Sequence, residues 1–247
     1  MAFILLLFGL LPGFVWLIFY IEEDTDSEPK KEILLAFIAG FAITIVVLFV
    51  QTAFAFIASY VHIADYSLLS FLGLAAIEEF FKFAAAYLVV SRSKYFDIPI
   101  DAMIYMIVVA LGFATLENIF AIRGEFNNTA LLSTAAETAT LRFVGATLLH
   151  TLSSAIVGYY WAKAILHGRF LYNISIGLVI ATILHTSFNC LISSGCTSFS
   201  RESPITYTVL LLIFAGFFVL NDFEKLKHPE KNTAPFFKKR EKAEQVA

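Results

Sequence analysis

Charge is scarce in this chain. Asp, Glu, Lys and Arg make up 15% of its 247 residues, 59% are apolar, and mean hydropathy is +0.80. That balance excludes an ordinary soluble domain and is that of a polytopic membrane protein. Cysteine is scarcer still: Cys190 and Cys196 alone exclude a disulfide framework. The pair is expected as small apolar fillers, with a single bridge near a membrane surface as the alternative. The N-terminus lacks the basic region and small-residue cleavage site of a secretory signal, so residues 2–20 are read as a retained first span. No basic, aromatic-interleaved groove is present, and nothing points to nucleic acid. No soluble domain and no long internal repeat interrupts the chain.

What is abundant is the long apolar run. Seven reach the roughly 20 residues needed to cross a bilayer: about 2–20, 33–57, 68–90, 101–122, 142–163, 170–193 and 204–221. The expected fold is therefore all-α, a membrane bundle of seven helices forming one domain over residues 1–221. Residues 222–247 are expected as a charged cytoplasmic tail. Lys and Arg fix the orientation. Thirteen lie in the tail and in the joints on its side, from Lys30 to Lys242, against Arg123, Arg142 and Arg201 on the other. The C-terminus is thus expected in the cytoplasm and the N-terminus outside.

Polar residues inside the spans carry the chemistry. The third span holds Glu78, Glu79 and Lys82; each such charge at mid-membrane costs roughly 2.5–3.5 kcal/mol, so intramembrane charges are functional-site candidates. The fourth holds Glu117 followed by Asn118. The fifth holds His150 with Ser154 one turn on. The sixth holds His185 and Asn189, at i and i+4 and so on one helix face. Counting about 1.5 Å per residue puts Glu78, Glu117, His150 and His185 all in the outer half of the bilayer. The shared depth argues for one cavity opening outward.

Such a set suits hydrolysis. Glu78 can act as the base that activates water, with Glu117 or His150 positioning it, and His185 with Asn189 can hold the developing oxyanion. Alternatively, Glu78, His150 and His185 can bind Zn²⁺ with one position open for water. Blander readings stand beside these. Glu78 and Lys82 could be an internal ion pair, one of Glu78 and Glu79 a structural anchor, each His an interhelical hydrogen bond, Glu117 a hydrated boundary residue, and Ser154 a packing residue.

Glu78-Glu79-Phe80-Phe81-Lys82 resembles the EExxK motif of the PrsW family of intramembrane proteases, related to the type II CAAX prenyl endopeptidases and their Abi-type relatives. Phe113-Ala114-Thr115-Leu116-Glu117 resembles the family's FxxxE motif, His150 its isolated histidine, and His185-Thr186-Ser187-Phe188-Asn189 its closing HxxxN motif. The four lie in order on consecutive spans. The resemblance implies endoproteolysis of membrane-anchored, single-pass proteins in a bacterial plasma membrane, such as first-site cleavage of an anti-sigma factor. It implies Glu78 as the water-activating base and His185 with Asn189 as the oxyanion site. The expectation is a glutamate-type peptidase that needs no cofactor, because Asn189 is a poor zinc ligand and HExxH is absent; a zinc-dependent one is the alternative. A proton or metal-ion transporter, and a non-catalytic scaffold or immunity protein of the same fold, are the rival functions.

Overall fold

The computed structural model describes residues 2–22, 28–125, 140–193, 196 and 204–227. They form seven long helices and, among the described residues, no strand. The helices are α1 (Ala2–Glu22), α2 (Lys30–Tyr60), α3 (Leu68–Val90), α4 (Asp101–Glu125), α5 (Thr140–His167), α6 (Phe170–Ile192) and α7 (Pro204–Lys227). The all-helical membrane bundle is as the sequence predicts. Five of them, α2 and α4 to α7, are long and apolar enough to cross a membrane by length and composition. The α3 helix, at 23 residues, is also long enough but carries Glu78, Glu79 and Lys82. The α7 helix runs through Asp222 to Lys227, past the expected start of the tail; residues 228–247 lie outside the described residues.

Local chemistry sets the element ends. Ser67 caps α3, its Oγ accepting from Ser70 N at 3.2 Å. The α5–α6 hairpin turns on Gly168 and Arg169 alone, at φ +74° and +56°; glycine meets the first left-handed position without strain. Cys190, near the end of α6, is bonded to Cys196, with Cα atoms 5.0 Å apart. This corrects the expectation of two apolar fillers and bears out the alternative of a single bridge; α6 itself ends at Ile192.

The α4 helix is the axis of the bundle. Every residue from Asp101 to Leu116 is buried, because α1, α2 and α5 enclose it. Glycines permit the approach, as is usual where membrane helices pack on small residues. A Cβ on Gly40 would lie 1.9 Å from Val109 O, one on Gly112 2.0 Å from Phe37 O, and one on Gly158 2.6 Å from Ala102 O. The α6 helix packs on α5 and α3, and α7 lies outermost against α5 and α6.

Gly112→Ala should therefore separate α2 from α4 and cost about 1–3 kcal/mol. A lower Tm in detergent would show it. Gly216→Ala, whose Cβ would meet nothing within 4 Å, should melt like the wild type.

Candidate active site

A helix turns about 100° per residue, so Glu78 and Lys82 share a face of α3 and Glu79 sits beside them. All three are buried, Glu79 and Lys82 completely. Charges so placed need partners. Glu79 Oε1 accepts from Lys82 Nζ at 2.7 Å, from His185 Nδ1 at 2.7 Å and from Ser153 Oγ at 3.0 Å. That one oxygen therefore ties α3 to α5 and α6.

Lys82 Nζ reaches on to His150 Nδ1 at 3.3 Å and lies 5.4 Å from the Phe113 ring centre. His150 Nε2 meets Glu117 Oε2 at 2.7 Å. Arg142 Nη2 approaches the same oxygen at 3.4 Å, and Arg142 Nε donates to Asn118 Oδ1. The two imidazoles meet edge to face, with centres 5.1 Å apart. Glu79 Oε2 is buried without a hydrogen-bond partner. Glu78 differs in having a single donor. Gln51 Nε2, from α2, holds its Oε1 at 2.7 Å, while its Oε2 is buried without a hydrogen-bond partner. That free oxygen lies 3.6 Å from His185 Nε2, too far for a hydrogen bond.

The structure thus brings Glu78, Glu79, Lys82, Phe113, Glu117, His150 and His185 into one network. Asn189 lies one turn beyond His185, half-buried, and no hydrogen bond joins it to these side chains. Ser154 is buried with its Oγ unpartnered; its neighbour Ser153 makes the contact to Glu79. Gln51, Ser153 and Arg142 join the network without being among the span residues singled out from sequence, and Asn118 stands there only as the neighbour of Glu117. Gln51 had a signal, being an amide in an otherwise apolar run; Arg142 counts from sequence only as a loop charge. The cluster is nearly closed instead of lining an open cavity. Side-chain exposure is 9% at Glu78 and 4% at both histidines, but 25% at Glu117 and 23% at Arg142. The network is therefore most exposed at its Glu117–Arg142 end.

One ligand atom each from Glu78, His150 and His185 lies within 4.8 Å of the others. The fit to a cation is good in donor chemistry. Each imidazole turns one nitrogen to a carboxylate, His185 to Glu79 and His150 to Glu117, the arrangement that orients metal-binding histidines. Glu78 Oε2 is buried and orphaned beside them. The opposing feature is Lys82, whose ammonium already sits on His150 Nδ1.

Lys82→Ala should strand the Glu79 carboxylate and destabilise the bundle by about 3–5 kcal/mol. Glu79→Gln combined with Lys82→Met should recover part of that loss. Melting temperature and membrane abundance read both.

Residues 28–220 match the family described as "PrsW family intramembrane metalloprotease". The chain is similar to proteins named Protease PrsW. With that of Geobacillus kaustophilus it shares 34% identity over 157 residues, 63% of this chain and 64% of that protein. With that of Oceanobacillus iheyensis it shares 29% over 226 residues, covering 91% and 95%. With that of Bacillus subtilis it shares 26% over 227 residues, covering 89% and 94%. No solved structure matches the chain. A family match over most of the length, on a helical bundle that gathers all four motifs, means that the chain belongs to the PrsW family of multi-pass bacterial membrane peptidases.

Proposed function

We propose that this protein is an intramembrane endopeptidase of membrane-anchored, single-pass proteins, with Glu78, His150 and His185 at the reacting centre. The observation that carries the reading is the free, buried Glu78 Oε2 facing His185 Nε2. Glu79 also leaves its Oε2 unpartnered, but Lys82 and two further donors meet its charge at Oε1, whereas Glu78 has one neutral amide donor and turns its open oxygen to an imidazole.

Glu78 Oε2 takes a proton from water; the resulting hydroxide attacks the scissile carbonyl carbon. As the C–N bond breaks, the proton passes to the departing amine and Glu78 is again a carboxylate. Gln51 fixes the plane of that carboxylate. Glu79 and Glu117 orient the two histidines, and Lys82 balances the charge of Glu79. Asn189, with a doubly protonated His185, would hold the oxyanion.

The convergence of Glu78, His150 and His185 favours a metal-dependent version. When His185 is neutral and gives Nδ1–H to Glu79, its Nε2 carries a lone pair toward Glu78 and cannot donate to an oxyanion. Glu78, His150 and His185 would then hold a divalent cation such as zinc, which would polarise the carbonyl and acidify water.

Several observations bear on the rivals and on orientation. A transporter needs a polar path through both membrane halves. At the other end of α4, Asp101 Oδ2 accepts from the Asp97 and Ile98 amides, and Tyr105 donates to Glu28 at 2.5 Å. Between that group and Phe113, α4 offers only Met106–Gly112, all buried and without a polar side chain. Disulfides persist in oxidising compartments, so the Cys190–Cys196 bond supports an outward-facing end of α6. That agrees with a cytoplasmic C-terminus. The resemblance makes an anti-sigma factor the substrate to try first.

In cells, Glu78→Ala and His185→Ala should accumulate normally yet lose the fragment of the membrane substrate that the wild type releases, by at least about 100-fold in rate. Retention of cleavage by both would end the protease reading. A chelator should abolish cleavage by purified protein if a cation takes part and leave it unchanged otherwise. After reduction of intact cells, a membrane-impermeant thiol reagent should label Cys196; labelling only after lysis would invert the orientation.

A further inference from the structure

One turn of α5 is irregular. Phe143–Thr147 is a π turn, flanked by Arg142 on one side and leading to His150 on the other. Its opened backbone is not left bare: Trp16 Nε1, from α1, donates to Phe143 O at 3.0 Å. A helix accepts such a defect where it places a side chain that regular winding would misdirect.

Winding shows which side chain that is. Arg142 and His150 are eight residues apart. In a regular α-helix they would sit about 80° out of phase. A π turn winds at roughly 4.4 residues per turn, so five residues in it rotate about 90° less and bring the two to within about 10°. The contacts agree. Arg142 Nη2 and His150 Nε2 both reach Glu117 Oε2, at 3.4 and 2.7 Å. By the same rotation Thr147 comes to within about 50° of Arg142 instead of about 140°. Both then grip Asn118: Arg142 Nε donates to its Oδ1, and its Nδ2 donates to Thr147 Oγ1 at 3.1 Å.

We propose that Arg142, brought into line by the π turn, is a positioning residue of the active site. It fixes Glu117 through their shared contact and Asn118 through its Nε. Glu117 in turn holds the His150 ring with Nδ1 aimed inward at Lys82. The guanidinium suits the task because its fork serves a carboxylate and an amide at once, which an ammonium does not. None of the four motifs includes Arg142, Asn118 or Thr147. The role in catalysis rests on the proteolytic reading above; the hold on His150 does not.

The test uses the full chain, labelled with ¹⁵N-histidine in detergent micelles, as wild type, Arg142→Ala and Arg142→Lys. His150→Ala assigns the signal. The wild type should show a His150 Nε2–H proton protected from water. Arg142→Ala should lose it, and Arg142→Lys should keep it through the charge on Glu117. With a single-pass membrane substrate that Glu78→Ala fails to cut, Arg142→Ala should lower kcat about 10–100-fold with little change in KM. Arg142→Lys should recover part of that loss. Deletion of the exposed Val144, which restores regular winding, should copy Arg142→Ala although the arginine remains. The proposal is overturned if the protected proton persists in Arg142→Ala. It is overturned equally if kcat stays within about two-fold of the wild type, or if the loss falls on KM, which would make Arg142 a substrate contact. If the wild type cuts no membrane protein, the proteolytic reading fails, while the histidine signal still decides whether Arg142 holds His150.

Discussion

Glu79 Oε1 accepts three donors from three helices: Lys82 on its own helix, Ser153 on α5 and His185 on α6. The rest of the site depends on that oxygen. Burying an ion in an apolar bundle costs several kcal/mol unless its partners are close and well aligned, so the three helices have one arrangement in which the charge of α3 is satisfied. The constraint also sorts the two adjacent glutamates. Glu79 is saturated at one oxygen and wholly inaccessible, and acts as the fastener. Glu78 is held only by Gln51 at Oε1, and its open Oε2 faces His185 Nε2, while the open Oε2 of Glu79 is sealed with the rest of that residue.

A second chain of contacts runs outward from this fastener. Lys82 touches His150, His150 touches Glu117, and Glu117 touches Arg142, with exposure higher at Glu117 and Arg142 than at Lys82 and His150. The buried end holds Glu78 Oε2 and both imidazoles, and the more exposed end holds Glu117 and Arg142. Water and a peptide bond would thus enter past Glu117 and Arg142, which gives the irregular turn of α5 a reason to lie there. Closure elsewhere keeps bulk water from screening the charges within.

The scaffold that permits this is α4. Its burial follows from Gly40, Gly112 and Gly158, where backbones approach so closely that no side chain fits. The same helix bears Phe113, Glu117 and Asn118, so its tight seating sets the reach of the Glu117 carboxylate toward α5.

Much of this was legible in the amino-acid sequence. Apolar run length gave the seven helices, because span length is set by bilayer thickness. The rarity of charge within those runs singled out Glu78, Glu79, Lys82, Glu117, His150 and His185, since each must be compensated. Counted depth suggested that they meet, as they do. Only the tertiary structure decided which glutamate gathers three donors and which has one, because neighbouring residues differ by an angle whose meaning depends on the helices they face. It also decided that Ser153 and not Ser154 joins the network, and that Cys190 and Cys196 are bonded. Arg142 shows the limit most clearly. Its register with His150 requires a π turn, and a pattern of spacings that assumes about 100° per residue places it on the wrong face of its own helix.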